Sequence, residues 1–359
     1  LTVTAALGAF GWGCQASKGT AATISYWHRA HNVDFGEIES REVLDPEVGG
    51  TILTTGVIKT GVHAGGGLDI SPRLEGDIGW LFHAMMGSSA TTADSPEAGM
   101  YHHEFTFDTT DESSIKWITA AKWQPGSSAA EDTGLRVTDT RVAAMRLMLP
   151  ARGRVRMRLD MVGIKPEGMA DPATNASWSS AFEEEDSIPI TSKPAGGFEL
   201  PQATPIYPSG CAIDFTNGLT DPVRQEAVIG SYYPDDLHVL TRAVIIRFPL
   251  KVSTYDKWTN AVFNTADASG MSTWTAWDPV TYSSTWEVNV ESPGNVSGLS
   301  SPYKMVVYAQ EVEWVVDPIA MVGNQLLLLN FTGTVVKPAS GTAFRIELEN
   351  EQSSYTWPT

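Results

Sequence analysis

The sequence predicts a mostly β fold of the α+β class, made twice in tandem. Three observations carry that prediction: a collinear internal repeat, stretches of strict period-two alternation, and one amphipathic helix in each half.

The repeat comes first. Val33-Asp34-Phe35 returns 180 positions later as Ile213-Asp214-Phe215, and Trp80 returns 178 positions later as Trp258. Gly163-Ile164-Lys165-Pro166 returns about 171 positions later as Val335-Val336-Lys337-Pro338, with Gly333 just before it. The order is kept while the offset drifts, as loop insertions and deletions would make it. A period near 175 is too long for a solenoid, and 359 residues suffice for two domains with cores of their own. The expected domains are 1–200, including an interdomain connection over 166–200, and 201–359. From Pro166 to Gly210 the chain is rich in Pro, Ser, Ala and Gly and carries the acidic run Glu183-Glu184-Glu185-Asp186, with strands expected near Ile188 and Phe198.

Strand signals dominate. Arg154-Val155-Arg156-Met157-Arg158-Leu159-Asp160-Met161 alternates polar and apolar residues, as do Tyr101–Phe107 in its second half and Trp286-Glu287-Val288-Asn289-Val290. Period two indicates sheets with one buried face and one wet or partner-facing side. Gln325 to Phe331 is far short of the roughly 20 apolar residues of a membrane span and reads as a buried strand. Arg41 to His63, with Pro46, Gly49, Gly50 and Gly56 between β-branched runs, reads as a long projecting hairpin.

Each half has one helix. Ser71-Pro72 supplies an N-cap followed by proline at the first helical position. Leu74, Ile78, Leu81, Phe82 and Met85 then share a face, and Gly87 ends the helix. In the second half Ser253-Thr254-Tyr255-Asp256 resembles a capping box, followed by an apolar stripe of Tyr255, Trp258, Ala261 and Val262.

Composition narrows the function. The net charge is −18 and charged residues make up only 18%. An acidic chain has no basic surface for releasing phosphate counterions, which opposes non-specific nucleic-acid binding; it leaves room for a surface past which DNA slides. Cys14 and Cys211 are too few for a disulfide framework. Leu1 to Phe10 lacks the basic residues of a signal peptide, and an initial leucine reads as a missing or processed start.

No catalytic constellation stands out, and no metal or cofactor is expected. Among the seven histidines, His28 and His31 are three apart, whereas the adjacent His102 and His103 would point to opposite faces of a strand. Gly8, Gly11 and Gly13, and Gly65-Gly66-Gly67, lack the Lys-Ser/Thr pair of a phosphate loop and read as turn or bulge glycines. Twelve tryptophans fit a core or interface better than a sugar-stacking platform. A carbohydrate-binding or adhesive β-sandwich protein is nevertheless the second reading, and a hydrolase with dispersed carboxylates the third.

Taken in order, the segments resemble a known family. Gln15-Ala16-Ser17-Lys18-Gly19-Thr20-Ala21-Ala22 with Tyr26-Trp27 resembles the opening of tail tube proteins of long, non-contractile-tailed bacteriophages. There follow an acidic stretch at Glu37-Ile38-Glu39-Ser40, a projecting glycine-containing loop, the strand Gly67 to Ile70 and a helix ending Met85-Met86-Gly87. An H-x-F-like strand over His103 to Phe105 and an Arg/Met-rich strand before Gly163 complete the series. The resemblance covers most of the first half and reaches the second through the repeat.

This resemblance implies two tandem β-sandwich domains, each flanked by a helix, whose sheets join into a closed β-barrel ring; three two-domain subunits would complete six domains. It implies a non-enzymatic virion protein of the tail, assembled in the host cytoplasm and not inserted in a membrane. The implied partners are further copies of itself, a tape measure protein in the lumen, tail terminator and tail-tip proteins at the ends, and genomic DNA in passage. A negative lumen is expected to keep DNA from adhering. Arg154, Arg156 and Arg158 sit badly with that unless they pair with carboxylates across a subunit seam. Asp45, Pro46, Glu47, Val48, Gly49 and Gly50 are the candidate ring-stacking loop. Leu74, Ile78, Leu81 and Phe82, and Tyr255, Trp258 and Val262, belong to the candidate flanking helices.

Overall fold

The computed structural model describes residues 8–28, 30–45, 50, 54, 56–75, 77–93, 95–107, 115–124, 126, 131–170, 190, 197–200, 205–251, 256–263, 282–292, 298–318 and 327–358. The first half contains β1 (Ala9–Cys14), β2 (Tyr26–His28), β3 (Ala30–Val33), β4 (Gly36–Leu44), β5 (Gly56–Ile70), α1 (Ile78–Met86), β6 (Gly87–Ala93), β7 (Tyr101–Phe107), β8 (Ile118–Gln124), β9 (Thr133–Pro150) and β10 (Arg156–Ala170). There follow β11 (Gly197–Glu199), β12 (Pro205–Ile206), β13 (Gly210–Leu219), β14 (Val239–Lys251), α2 (Asp256–Phe263), β15 (Tyr282–Glu291), β16 (Lys304–Val316), β17 (Leu328–Val335) and β18 (Phe344–Asn350). The protein is therefore mostly β, in a large sheet that does not close on itself within one chain.

Strand pairing repeats. Hydrogen-bonded neighbours run β2–β1–β8–β9–β10–β5–β4 in one set and β12–β11–β15–β16–β17–β14–β13 in the other, all antiparallel. Each set places one helix at the same point, α1 after β5 and α2 after β14, and Trp80 and Trp258 are each the third residue of their helix. Asp34 and Asp214 fall in corresponding places too, just before β4 and within β13. Gly163 to Pro166 lie inside β10, whereas Lys337 and Pro338 follow the end of its counterpart β17.

One ladder joins the sets, and a second ties the β6–β7 hairpin of the first half, through β18, to the second set. β9 pairs with β10 along its whole length, but on its other side it hands over from β8 (through Thr140) to β13 (Ala144 to Pro150). Such long strands serve two neighbours in turn. The second ladder is β7 with β18, and β18 also pairs with the first half of β16. β11 hydrogen-bonds to β12 and β15, both of the second set.

The core follows from period two. A row of directly opposed residues crosses five strands as Ile70, Met157, Leu147, Ile213 and Ile246, every one of them buried, and ends on Gly333 and Trp314. These residues belong to one apolar cluster that runs through both sets. At about 25 cal/mol per Å² of apolar surface, each such side chain contributes roughly 1.5–3 kcal/mol.

Several expectations are corrected in detail. α1 begins at Ile78, not at Ser71-Pro72, because the Ser71 hydroxyl is engaged by His31 (2.8 Å) and the Leu74 carbonyl accepts from Asn350 Nδ2 (2.9 Å). Leu74 is thus buried but outside the helix. Gly87, at φ 96°, ends the helix as expected. Pro166 belongs to β10, which continues to Ala170, so the connection starts later than expected. Leu328 is 44% exposed while Leu329 is buried, so that strand alternates and is not buried throughout. Arg41 to His63 does form a hairpin, paired from Gly36–Gly65 out to Leu44–Gly56. Gly66, at φ 111°, sits where β5 passes from β4 to β3, a conformation that glycine adopts without penalty.

Candidate functional site

Turning each buried row over gives the opposite face of the same sheet. Asp69 on β5, Arg158 on β10, Arg146 on β9, Asp214 on β13, Ile245 on β14, Thr334 on β17 and Glu313 on β16 are successive cross-strand neighbours. This open, polar face spans seven strands and both sets.

Its charges are arranged as bridged groups. Arg158 donates Nη2 to Asp34 (2.9 Å) and Nε to Asp160 (2.9 Å), and its Nη1 stands 3.4 Å from Asp69. Asp214 accepts from Arg146, whose Nη2 lies at 3.1 Å, and from Arg247. The hydrogen bond to Asp34 holds Arg158 firmly in the cationic form. Burial pushes the Asp34 carboxyl up, but the bonds from Arg158 and the Gly67 amide outweigh it and bring it below its ordinary range. Arg158 thus has carboxylate partners within its own chain, on β10, on β5 and just before β4, and does not need the expected subunit-seam pairing. Arg154 and Arg156 are exposed.

A second construction lies at the start of the chain. Gln15 is buried, and its side-chain amide exchanges hydrogen bonds with Asp139: Nε2 donates to Oδ1 (2.8 Å) and the Asp139 amide donates to Oε1 (2.9 Å). Gly19 N–H also donates to Asp139 Oδ1 (2.7 Å), and Lys18 Nζ reaches Asp236 Oδ2 (2.8 Å) in the loop between β13 and β14. The Gln15 to Gly19 segment is thus a closed turn fastened to both sets. Nothing in the sequence signalled Asp139 as its partner, 124 positions away.

The expected site residues are distributed as follows. Asp45 and Gly50 are exposed beyond the ends of the β4–β5 hairpin; Pro46, Glu47, Val48 and Gly49 lie outside the described residues. Ile78, Leu81 and Phe82 pack α1 into the core, Trp258 and Val262 lie half-buried on α2, and Tyr255 is outside the described residues. His103 is buried and His102 half-buried, on opposite faces of β7 as alternation requires. Trp12, Trp27, Trp286 and Trp314 are buried, so none of these four offers its ring to a sugar. Among the described residues no helix is long and apolar enough to cross a membrane.

The fold is thus a β-rich scaffold of two strand sets that carries one broad, ion-paired sheet face. The chain matches phage tail tube proteins over residues 8–315, a span that crosses both sets, and it belongs to that family. It is accordingly a structural component of the phage tail, of a family that assembles into a tube. No curated protein matches the chain.

Proposed function

We propose that this chain is the repeating unit of the tube of a long, non-contractile tail, that it comprises two tail-tube-type domains, and that three copies close a pseudo-sixfold ring around a lumen lined by the polar sheet face. The observation that supports this reading is the repeated strand order together with the β9–β13 ladder. Within the chain, β13, the end strand of the second set, adds to the part of β9 that extends beyond β8. Its counterpart in the first set, β4, hydrogen-bonds to β5 on one side only among the described residues, and β16, the counterpart of β9, extends beyond β15 past Trp314. The same ladder made between copies carries the sheet from β16 of one to β4 of the next. Closure removes the sheet edges and covers Ile38, Val43 and Val315, which are 46%, 54% and 65% exposed in the single chain. On this reading β11 goes with the second domain, and the boundary falls shortly before residue 197.

The lumen then holds the tape measure protein before ejection and afterwards passes genomic DNA without retaining it. Terminator and tip proteins close the two ends, assembly takes place in the host cytoplasm, and the segment Asp45 to Gly50 stacks ring on ring. Electron microscopy of the purified protein at rising concentration, averaged end-on, tests this. Six lobes of two alternating kinds are expected. Rings of six subunits would reject the two-domain trimer while keeping the tube, and persistent monomers would reject ring formation. Deleting Asp45 to Gly50 should leave rings that do not polymerise; normal tubes from that deletion would reject the stacking role.

A further inference from the structure

The ladder between β7 and β18 carries a cluster of metal-ligating side chains. On the outward face of β7, His102 and Glu104 stand two residues apart; opposite them on β18 stand Glu349 and Glu347 respectively. The donor atoms of His102, Glu104 and Glu347 all lie within 4.8 Å of one another. Glu104 and Glu347 are directly opposed like charges, an arrangement that destabilises a strand pair; in the single chain Arg345 and His102 are the neighbouring groups that offset it. The surroundings aim the donors. Glu349 faces Nδ1 of His102 at 3.5 Å, which leaves Nε2 turned towards Glu347 Oε2 at 3.9 Å. Arg345 Nε holds the other oxygen of Glu347 at 2.5 Å. An imidazole whose second nitrogen meets a carboxylate, beside a carboxylate whose second oxygen is already occupied, is how outer groups orient metal ligands.

We propose that His102 Nε2, Glu104 and Glu347 form a divalent-metal site for an ion of the Zn²⁺ type. One imidazole and two carboxylates suit zinc or a neighbouring first-row ion, with water in the fourth position, better than they suit magnesium or calcium. Glu349 and Arg345 are positioning residues. The ion would clamp β7 to β18 and so tie the β6–β7 hairpin of the first half to the second half across 245 positions of sequence.

Calorimetric titration of the purified full chain with zinc chloride, in buffer free of phosphate and chelator, tests the site. One ion per chain and a raised thermal midpoint are expected. His102→Gln and Glu347→Gln should each weaken binding more than tenfold, and Glu349→Gln by about 10- to 100-fold, while His238→Gln leaves it unchanged. No uptake at millimolar zinc, or affinity unaltered by His102→Gln, would overturn the site. Should His102→Gln fail to fold, Glu104→Gln and the visible spectrum of Co²⁺ on the unmodified protein decide: a tetrahedral spectrum lost in Glu104→Gln supports it, and an octahedral one refutes it.

Discussion

Gln15 and Asp139 bond one another reciprocally at the buried end of the first turn: Oε1 accepts from the Asp139 amide at 2.9 Å, and Nε2 donates to the Asp139 carboxylate at 2.8 Å. Asp139 does this from φ 58°, a left-handed conformation that few residues other than Gly, Asn and Asp adopt. Both roles fall on one residue. Asp139→Ala removes the acceptor shared by Gln15 Nε2 and the Gly19 amide and keeps the backbone cost, so a loss of about 2–4 kcal/mol is expected. Asp139→Asn keeps an acceptor and tolerates the conformation, and should lose about 1 kcal/mol. Urea unfolding of the two variants checks this; equal, small losses would show that the turn does not depend on the pair.

The C-terminal segment is fixed to the first set as firmly. Tyr355 is buried against α1, where a Cβ on Gly79 would lie 2.1 Å from the Tyr355 ring. Trp357 Nε1 donates to the Gln15 carbonyl at 2.8 Å. Gly79→Ala should therefore destabilise by about 1–3 kcal/mol through overpacking. In a Tyr355→Ala background that penalty should shrink by 1 kcal/mol or more, since residues in contact do not add. Additive effects in the double-mutant cycle would mean that the segment does not press on the helix.

His83 gives the fold a pH dependence. It is buried, and Nδ1 donates to the Tyr355 carbonyl at 2.6 Å. Burial, aided by Lys116, pushes its pKa down to about 4 against the opposing pull of that hydrogen bond. Between pH 4 and 6.5 the unfolded chain therefore binds more protons at this site than the native one. Its contribution is fully present above pH 6.5 and is lost as pH falls towards 4, amounting to roughly 3 kcal/mol. Comparing unfolding free energies of His83→Gln and the unmodified protein from pH 4 to 8 isolates it. The variant should show a shallower rise over that window, and parallel curves would reject the assignment.

What the sequence disclosed was local or periodic. Alternation around Arg156 to Met161 separated the buried face of β10 from the polar one, and Trp80 and Trp258 marked equivalent helix positions. Gly87 marked a helix end because only backbone conformation was at stake. Ser71-Pro72 misled because His31, 40 positions earlier, takes the hydroxyl that a cap would need. The partners of Arg158 were invisible for the same reason: Asp34 and Asp69 reach it only once β5 and β10 are in register. That β9 serves β8 and then β13 is likewise a property of the assembled sheet. The cluster around His102 required the β7–β18 ladder, which joins residues 245 positions apart.

The polar face makes the most direct functional prediction. Asp34, Asp69 and Asp160 surround Arg158, so the guanidinium is already neutralised within its own chain, and on the proposed reading it meets DNA in that state. Changing the three aspartates to asparagine removes three negative charges and leaves Arg158, with the exposed Arg156 beside it, open to the backbone of DNA. These pairs are largely solvent-exposed, so stability should change by less than about 1 kcal/mol for each. Binding should change much more. The unmodified protein is expected to leave short duplex DNA unretarded in a gel at low salt, whereas the triple variant retards it, with the effect fading as salt approaches about 200 mM. Equal retardation by both proteins would separate this face from DNA passage and place the lumen elsewhere on the sheet.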